Sequence, residues 1–267
     1  MGAVAQLSQV CVRRGRATLL DGVDLSIKEG DRWVIIGPNG AGKTTLLSLL
    51  ATQSYPSSGR VEVLGETLGH VDVFELRPRI GVCSSAIGTR IPGHEMARDV
   101  VVSAAYGMLG RWREHYEEDD YRRAMLLLQR LRVETLARRT YATLSEGERK
   151  RVEIARALMT DPEMLLLDEP GAGLDLAGRE MLVDTLASLC ADRMAPTMVL
   201  VTHHMEEIPD GMTHALLLNQ GHVVASGPIE QTLTASNLSR TYGLPLFVTH
   251  EDGRWSARSA GRRQALG

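Results

Sequence analysis

Apolar residues in this chain fall into short runs of four or five, separated by polar and glycine-containing stretches. Trp33-Val34-Ile35-Ile36, Ile80-Gly81-Val82-Cys83, Met164-Leu165-Leu166-Leu167 and Met198-Val199-Leu200-Val201 read as strands. The run at 164–167 has no alternation, as expected of a strand buried on both faces of a parallel sheet. Other segments follow the helical period instead. Val152, Ala155, Leu158 and Met159 recur at helical spacing. Residues 99–105 read as helix, and residues 122–139 carry Met125, Leu128, Leu131 and Leu136 near the same period. The acidic stretch at 114–120 reads as a solvated loop and helix start. Ala215-Leu216-Leu217-Leu218 and His222-Val223-Val224-Ala225 read as a hairpin turning through Asn219-Gln220-Gly221. The alternation predicts an α/β fold with a mainly parallel sheet. The basic, polar tail at 257–267 is expected to fray.

Candidate chemistry enters where the first of these strands stops. Gly37-Pro38-Asn39-Gly40-Ala41-Gly42-Lys43-Thr44-Thr45 follows it directly. A G-x-x-x-x-G-K-[ST] loop between strand and helix turns backbone N–H groups inward around a triphosphate. The helix starting near Lys43 points its positive end at the anion. Lys43 is placed to reach the β- and γ-phosphates and the Thr44 hydroxyl to bind Mg²⁺. A glycine-rich turn can match by chance, but the flanking strand and helix weigh against that. At the end of the 164–167 strand, Asp168 can hold Mg²⁺ through water, and Glu169 can orient or deprotonate an attacking water. Read alone, the pair is equally a strand end with two solvated carboxylates. A third stretch, Leu144-Ser145-Glu146-Gly147-Glu148-Arg149, has Ser145 and Glu148 at capping-box spacing. It is a helix start, and the free N-terminus with Gly147 and the serine hydroxyl is also an anion site.

In these motifs the chain resembles the ATPase subunit of an ATP-binding cassette (ABC) transporter, from about residue 4 to about residue 250. Residues 37–45 match the family's Walker A loop, residues 144–149 its signature motif, and residues 164–170 its Walker B strand with Glu169 as catalytic glutamate. Gly173-Leu174-Asp175 matches the D-loop, and His203 the switch histidine. The resemblance implies a P-loop NTPase core with an N-terminal antiparallel β subdomain and an inserted helical subdomain. Residues 1–83 and 146–256 would form the core, and residues 84–145 the helical part that docks on a membrane partner. It also implies two cassettes facing head to tail, with ATP between Walker A of one and the signature of the other. Ser145, Gly147 and Glu148 would then lie at the γ-phosphate across the interface, Asp175 at the dimer contact, and His203 at the γ-phosphate or attacking water. Without the family pattern, His203 reads as a strand-end histidine and Asp175 as a turn or helix cap.

Two positions depart from the pattern. The family usually stacks an aromatic residue on adenine, and here Arg14 takes that place. A guanidinium plane can stack on a base, while a solvated Arg13–Arg14 charge cluster fits equally. After the strand at 80–83 the family usually has a glutamine that touches Mg²⁺ and links nucleotide to membrane partner. Ser85 stands there instead and would reach the metal only through water. Weaker or differently timed coupling is expected.

Composition agrees with one α/β domain. Hydrophobic content is 43% and aromatic content 4%, so the core depends on aliphatic residues and Met. The net charge of −3 argues against a dominant nucleic-acid surface. The three cysteines, Cys11, Cys83 and Cys190, show no C-x-x-C spacing, which suits a reducing cytosol. No apolar run approaches the ~20 residues of a membrane span, and no signal peptide is read at the N-terminus.

The expected function is therefore an ATP-hydrolysing subunit at the inner face of the cell membrane. It would power a separate permease as a homodimer or with a sister cassette. A substrate-binding protein would accompany an importer. The stretch at 99–110 and the region after His203 look most like iron, metal-chelate or molybdate-type systems. The rival reading is a soluble ABC ATPase that clamps a protein or ribonucleoprotein. A degenerate cassette that turns ATP over slowly is kept open by Ser85 and opposed by Glu169 and His203.

Overall fold

A long hairpin begins the fold: β1 (Ala3–Arg14) and β2 (Ala17–Lys28) pair antiparallel from Ala3↔Lys28 to Arg14↔Ala17. The computed structural model describes residues 2–111 and 114–261. The chain then enters β3 (Arg32–Ile36) and, through the glycine-rich loop, α1 (Lys43–Leu50). It returns to the hairpin as β4 (Ser58–Val63) and β5 (Glu66–Thr67), giving an antiparallel sheet of order β2-β1-β4-β5. Next come α2 (Val73–Leu76), β6 (Ile80–Ser84), α3 (Ser85–Gly88), α4 (Ala97–Val102) and α5 (Glu118–Arg130). The second half runs α6 (Glu146–Ala157), β7 (Met164–Asp168), α7 (Leu176–Ala191), β8 (Thr197–Thr202), β9 (His214–Asn219) and β10 (His222–Pro228). It closes with α8 (Ile229–Thr232), α9 (Ala235–Tyr242) and a final hairpin, β11 (Leu246–Glu251) and β12 (Arg254–Ser259).

The central sheet has the order β10-β9-β3-β8-β7-β6. All neighbours in it are parallel except β9 and β10. Both of its faces are covered, which is why the runs show no polar alternation. Side chains still point alternately to two cores. Val34 and Ile36 of β3 join one, and Trp33 and Ile35 the other. Leu165 and Leu167 of β7 oppose Met164 and Leu166, and Met198 and Leu200 of β8 oppose Val199 and Val201. One core lies under the antiparallel sheet, where Ala5, Leu7, Val23, Leu25 and Val61 meet α1 through Leu46 and Leu49. The other is shared with the helical lobe through Val100, Leu127, Leu128 and Leu131. The expected fold class is the one observed. β3, β6, β7 and β8 end at one edge of the parallel sheet, the usual ligand edge of such sheets.

Two expectations need correction. The helix expected at 122–139 is α5, which starts earlier and stops at Arg130. Glu117 and Asp120 form a capping box at its start, and Glu118, Asp119 and Asp120 favour the positive end of the helix dipole. It ends because Arg132 takes a left-handed φ of 57°. Leu131 and Leu136 therefore reach the core from a turn and a short 3-10 segment rather than from one helical stripe. The tail expected to fray from residue 257 is instead paired through Ser259: Val248↔Ala257 and Leu246↔Ser259 are register partners in the final hairpin. Residues 262–267 of that expectation lie outside the described residues.

Leu128 is fully buried where α5 meets α4 and α6. Leu128→Ala is expected to cost about 3 kcal/mol through lost contacts and a residual cavity. A thermal melt without nucleotide should show the midpoint roughly 6–12 °C lower.

Candidate phosphate-binding and hydrolytic site

The phosphate loop is held from behind. Gly42 sits at φ 105°, and a Cβ there would lie 2.5 Å from the Leu19 carbonyl oxygen. Only glycine fits both the left-handed turn and the approach of β2. The turn between β9 and β10 also braces the loop, since Gly221 N–H donates to Ala41 O at 2.9 Å. Residues 39–45, Leu19 and Glu169 line one cavity at the head of α1.

Lys43 is buried, with Nζ donating to Gly37 O at 2.8 Å and Pro38 O at 3.1 Å. It stands 3.7 Å from Glu169 Oε1. Burial lowers its pKa, against the opposing pull of Glu169 and Asp168. A second cavity, of about 230 Å³, is walled by Thr44, Ser84, Ser85, Asp168 and Glu169 together. Asp168 and Ser84 are register partners on neighbouring strands. Asp168 Oδ1 is buried without a protein partner. Burial pushes this carboxyl up and Glu169 adds to the effect, while Thr44 and Lys43 oppose it. A buried, orphaned carboxylate oxygen beside a threonine hydroxyl suits a hard divalent cation such as Mg²⁺. The donor set thus fits the expected ion.

Glu169 follows β7 in a left-handed conformation, φ 47°. A non-glycine residue is uncommon there, and Arg132 at the end of α5 is another. His203 Nδ1 lies 3.2 Å from Glu169 Oε1, but without hydrogen-bond alignment, and the nitrogen is buried with no partner. β7 and β8 thus bring a carboxylate and an imidazole face to face at the sheet edge.

The signature residues behave differently. Ser145 caps α6, accepting from Glu148 N–H at 3.3 Å, while Glu148 Oε2 accepts from Ser145 N–H at 2.8 Å. Asp175 caps α7 by accepting from Gly178 N–H at 2.7 Å. The two helix starts touch: a Cβ on Gly147 would sit 3.3 Å from Gly178 Cα. Ser145, Gly147, Glu148 and Asp175 line neither cavity at the phosphate loop. Arg14 stands exposed at the β1–β2 turn and also lines neither. Ser85 lines the Thr44–Asp168 cavity.

Sequence reasoning missed the bracing of the His203 turn. Thr202 Oγ1 donates to buried Glu207 and accepts from His204 N–H at 3.1 Å. Arg254, from β12, donates to both carboxylate oxygens of Glu180 on α7, at 2.8 and 3.0 Å, and to Glu206 O at 2.9 Å. The final hairpin thereby ties α7 to the turn after β8. No spacing rule marks such a pair, because its partners lie 74 residues apart.

A phosphate loop on a parallel sheet, with Asp-Glu at the end of the next strand but one, defines a P-loop ATPase. The comparisons narrow this. The ABC transporter family model matches residues 20–172. A Bacillus subtilis protein described as an uncharacterized ABC transporter ATP-binding protein is 39% identical over 252 residues, covering 94% of this chain and 95% of its own. The ferric enterobactin transport ATP-binding protein FepC of Escherichia coli is 32% identical, covering 92% and 90%. Relatives at 31–33% identity include both metal-transport and export ATP-binding proteins. Among solved structures, an inward-facing putative metal-chelate type ABC transporter aligns with TM-score 0.75 and 26% identity over 97% of this chain and 96% of its own. A dimeric ATP-binding cassette in a post-hydrolysis state aligns with TM-score 0.72 and 26% identity over 84% and 98%. This chain belongs to the ABC transporter family, as an ATP-binding, ATP-hydrolysing subunit. Among the described residues, no helix is long and apolar enough to cross a membrane.

Lys43→Ala is expected to weaken ATP binding roughly 10- to 100-fold, the loss of a charge-assisted contact. A fluorescent-nucleotide titration reads it, and unchanged affinity would remove residues 37–45 as the ATP site.

Proposed function

We propose that two copies of this chain close head to tail around two ATP molecules and drive a separate membrane permease. The observation that carries this is the split of the site. Lys43, Thr44, Asp168, Glu169 and His203 share one sheet edge, whereas Ser145 and Gly147 sit on a helix start that lines neither cavity of its own chain. A second copy brings its α6 start, an anion-binding helix end, over the first copy's phosphate loop. Asp175 and the exposed Leu176 would lie at that contact. Backbone N–H groups of residues 39–45 and the Lys43 ammonium hold the phosphates. Thr44 and Asp168 would hold Mg²⁺, with Ser85 acting through water, and the bound ion would supply charge neutralisation at the phosphates. Glu169 accepts the proton of the attacking water, and His203 orients that water or the γ-phosphate. Positioning and charge stabilisation supply most of the rate. Arg14 stacks on adenine in this reading, reaching from the β1–β2 turn.

For the permease, support comes from an open groove between the core and the helical lobe. It holds about 410 Å³ and is lined by Phe74, Arg77, Ala105, Tyr106 and Arg156. Phe74 is 71% and Tyr106 50% exposed, an apolar pair suited to a helix of a membrane protein. The subunit would thus sit on the inner face of the cell membrane. The cargo reading is import of an iron or other metal chelate, or of a molybdate-type anion, with a substrate-binding protein upstream. The end-to-end coverage of FepC and of the metal-chelate type transporter supports it.

Glu169→Gln is expected to bind ATP, to hydrolyse it at least about 100-fold more slowly, and to run as a dimer with Mg-ATP on size exclusion. Adding Ser145→Arg should return it to a monomer that still binds nucleotide. A Glu169→Gln chain that stays monomeric with Mg-ATP bound would sink the head-to-tail site. Affinity purification from detergent-solubilised host membranes should retain a multi-span protein. A wholly soluble partner set would favour the clamp reading.

A further inference from the structure

Beneath the Ser84–Ser85 wall of the nucleotide cavity lies a buried polar cluster that the hydrolytic chemistry does not use. Its centre is Glu153, on α6. Tyr141 Oη donates to Glu153 Oε1 at 2.6 Å, and Lys150 Nζ donates to Oε2 at 2.9 Å. The Cys83 thiol also faces Oε2, at 3.7 Å. Lys150 and Glu153 are each 7% exposed. A further element reaches the same carboxylate: a Cβ added to Gly88 would lie 2.4 Å from Glu153 Oε1. The last residue of α3 therefore rests directly on it.

These contacts link separate parts of the chain. Cys83 and Gly88 flank Ser84 and Ser85, which line the cavity with Thr44 and Asp168. Tyr141 lies in the turn that leads to Ser145. That turn is itself held by Arg149, whose guanidinium donates to the carbonyls of Tyr141 at 3.2 Å and Ala142 at 2.6 Å. One carboxylate thus touches both the segment that faces the phosphate-side cavity and the segment that presents the signature serine. Burial, then Glu153, pushes the Tyr141 hydroxyl up, so it remains a donor. Burial tends to lower the Lys150 ammonium, but the paired Glu153 carboxylate holds it above its ordinary value. Buried ion pairs are weak contributors to stability relative to apolar packing, so stability is a poor reason for one here. Networks in which every member is satisfied do hold elements in one arrangement.

We propose that Glu153 is a positioning residue that makes α3 and the start of α6 respond together to nucleotide, a direct route where Ser85 is too short to reach. This rests on Ser84 and Ser85 being walls of the ATP site. Displacement of α3 by bound Mg-ATP would be passed through Gly88 and Glu153 to Tyr141, and so to Ser145 before it meets the second copy.

The test uses amide hydrogen exchange on the full chain carrying Ser145→Arg, with and without Mg-ATP, beside an independent nucleotide titration. Bound Mg-ATP should slow exchange at least about threefold both at residues 85–91 and at residues 141–144. Adding Lys150→Met and Glu153→Leu, which fill the space with apolar groups, should keep the first effect and abolish the second. Gly88→Ala, whose Cβ would displace the carboxylate oxygen that Tyr141 Oη meets, should do the same if the double change folds poorly. In the chain with Ser145 intact, the double change should lower kcat about tenfold and leave KM for ATP within about twofold. Slowing at 141–144 that survives in the variants, or that is absent from the Ser145→Arg chain despite bound nucleotide, overturns the proposal. Failure to bind Mg-ATP at all overturns the ATP-site reading itself.

Discussion

A loop of backbone amides can hold a phosphate only if it cannot relax away from it, and this structure depends on that constraint. The loop at 37–45 has little side-chain mass of its own. Its shape comes from β3, which is paired on one side with β8 and on the other with β9. Leu19 stands behind Gly42, and Gly221 hydrogen-bonds Ala41. With the loop fixed, Asp168 and His203 need only be placed at the ends of neighbouring strands, since parallel pairing sets those ends side by side, with Asp168 opposite Val201. The sheet's double burial gives the rigidity, and the aliphatic runs give the burial.

Much of this was legible in the sequence because the signals are local. The phosphate loop, the Asp168–Glu169 strand end and the Ser145–Glu148 capping box each lie within nine residues. Each stands where the spacing placed it. The hairpin turning at Asn219-Gln220-Gly221 was legible for the same reason. The α5 boundary was not, because a left-handed Arg132 ends that helix and arginine carries no turn signal. The ordered end of the chain was not legible either. Ala257 to Ser259 hold no β-branched or aromatic residue, and what orders them is pairing with β11 and the Arg254–Glu180 contact, both set by tertiary structure. The left-handed conformation of Glu169 leaves no trace in residue type.

Buried charge is the other recurrent theme. Lys43, Asp168, Lys150, Glu153 and Glu207 all sit in places where solvent is scarce. Lys150, Glu153 and Glu207 answer to partners within the chain, whereas Asp168 keeps an oxygen without one. Matched charges hold elements together, and the unmatched oxygen suits a ligand from outside. The contrast separates the scaffold of this protein from its working surface more sharply than exposure does.

The bracing of the phosphate loop by the β9–β10 turn also bears on how the protein is made. The loop emerges from the ribosome long before residues 214–221, which flank β3 and back Ala41. Non-local pairing of this kind forms late, after the intervening chain is available. The nascent cassette therefore carries a complete phosphate-loop motif that stays unbraced through most of synthesis. The bracing arrives only when β9 slots beside β3, so a chain truncated before that strand is released with its phosphate loop unsupported on that side.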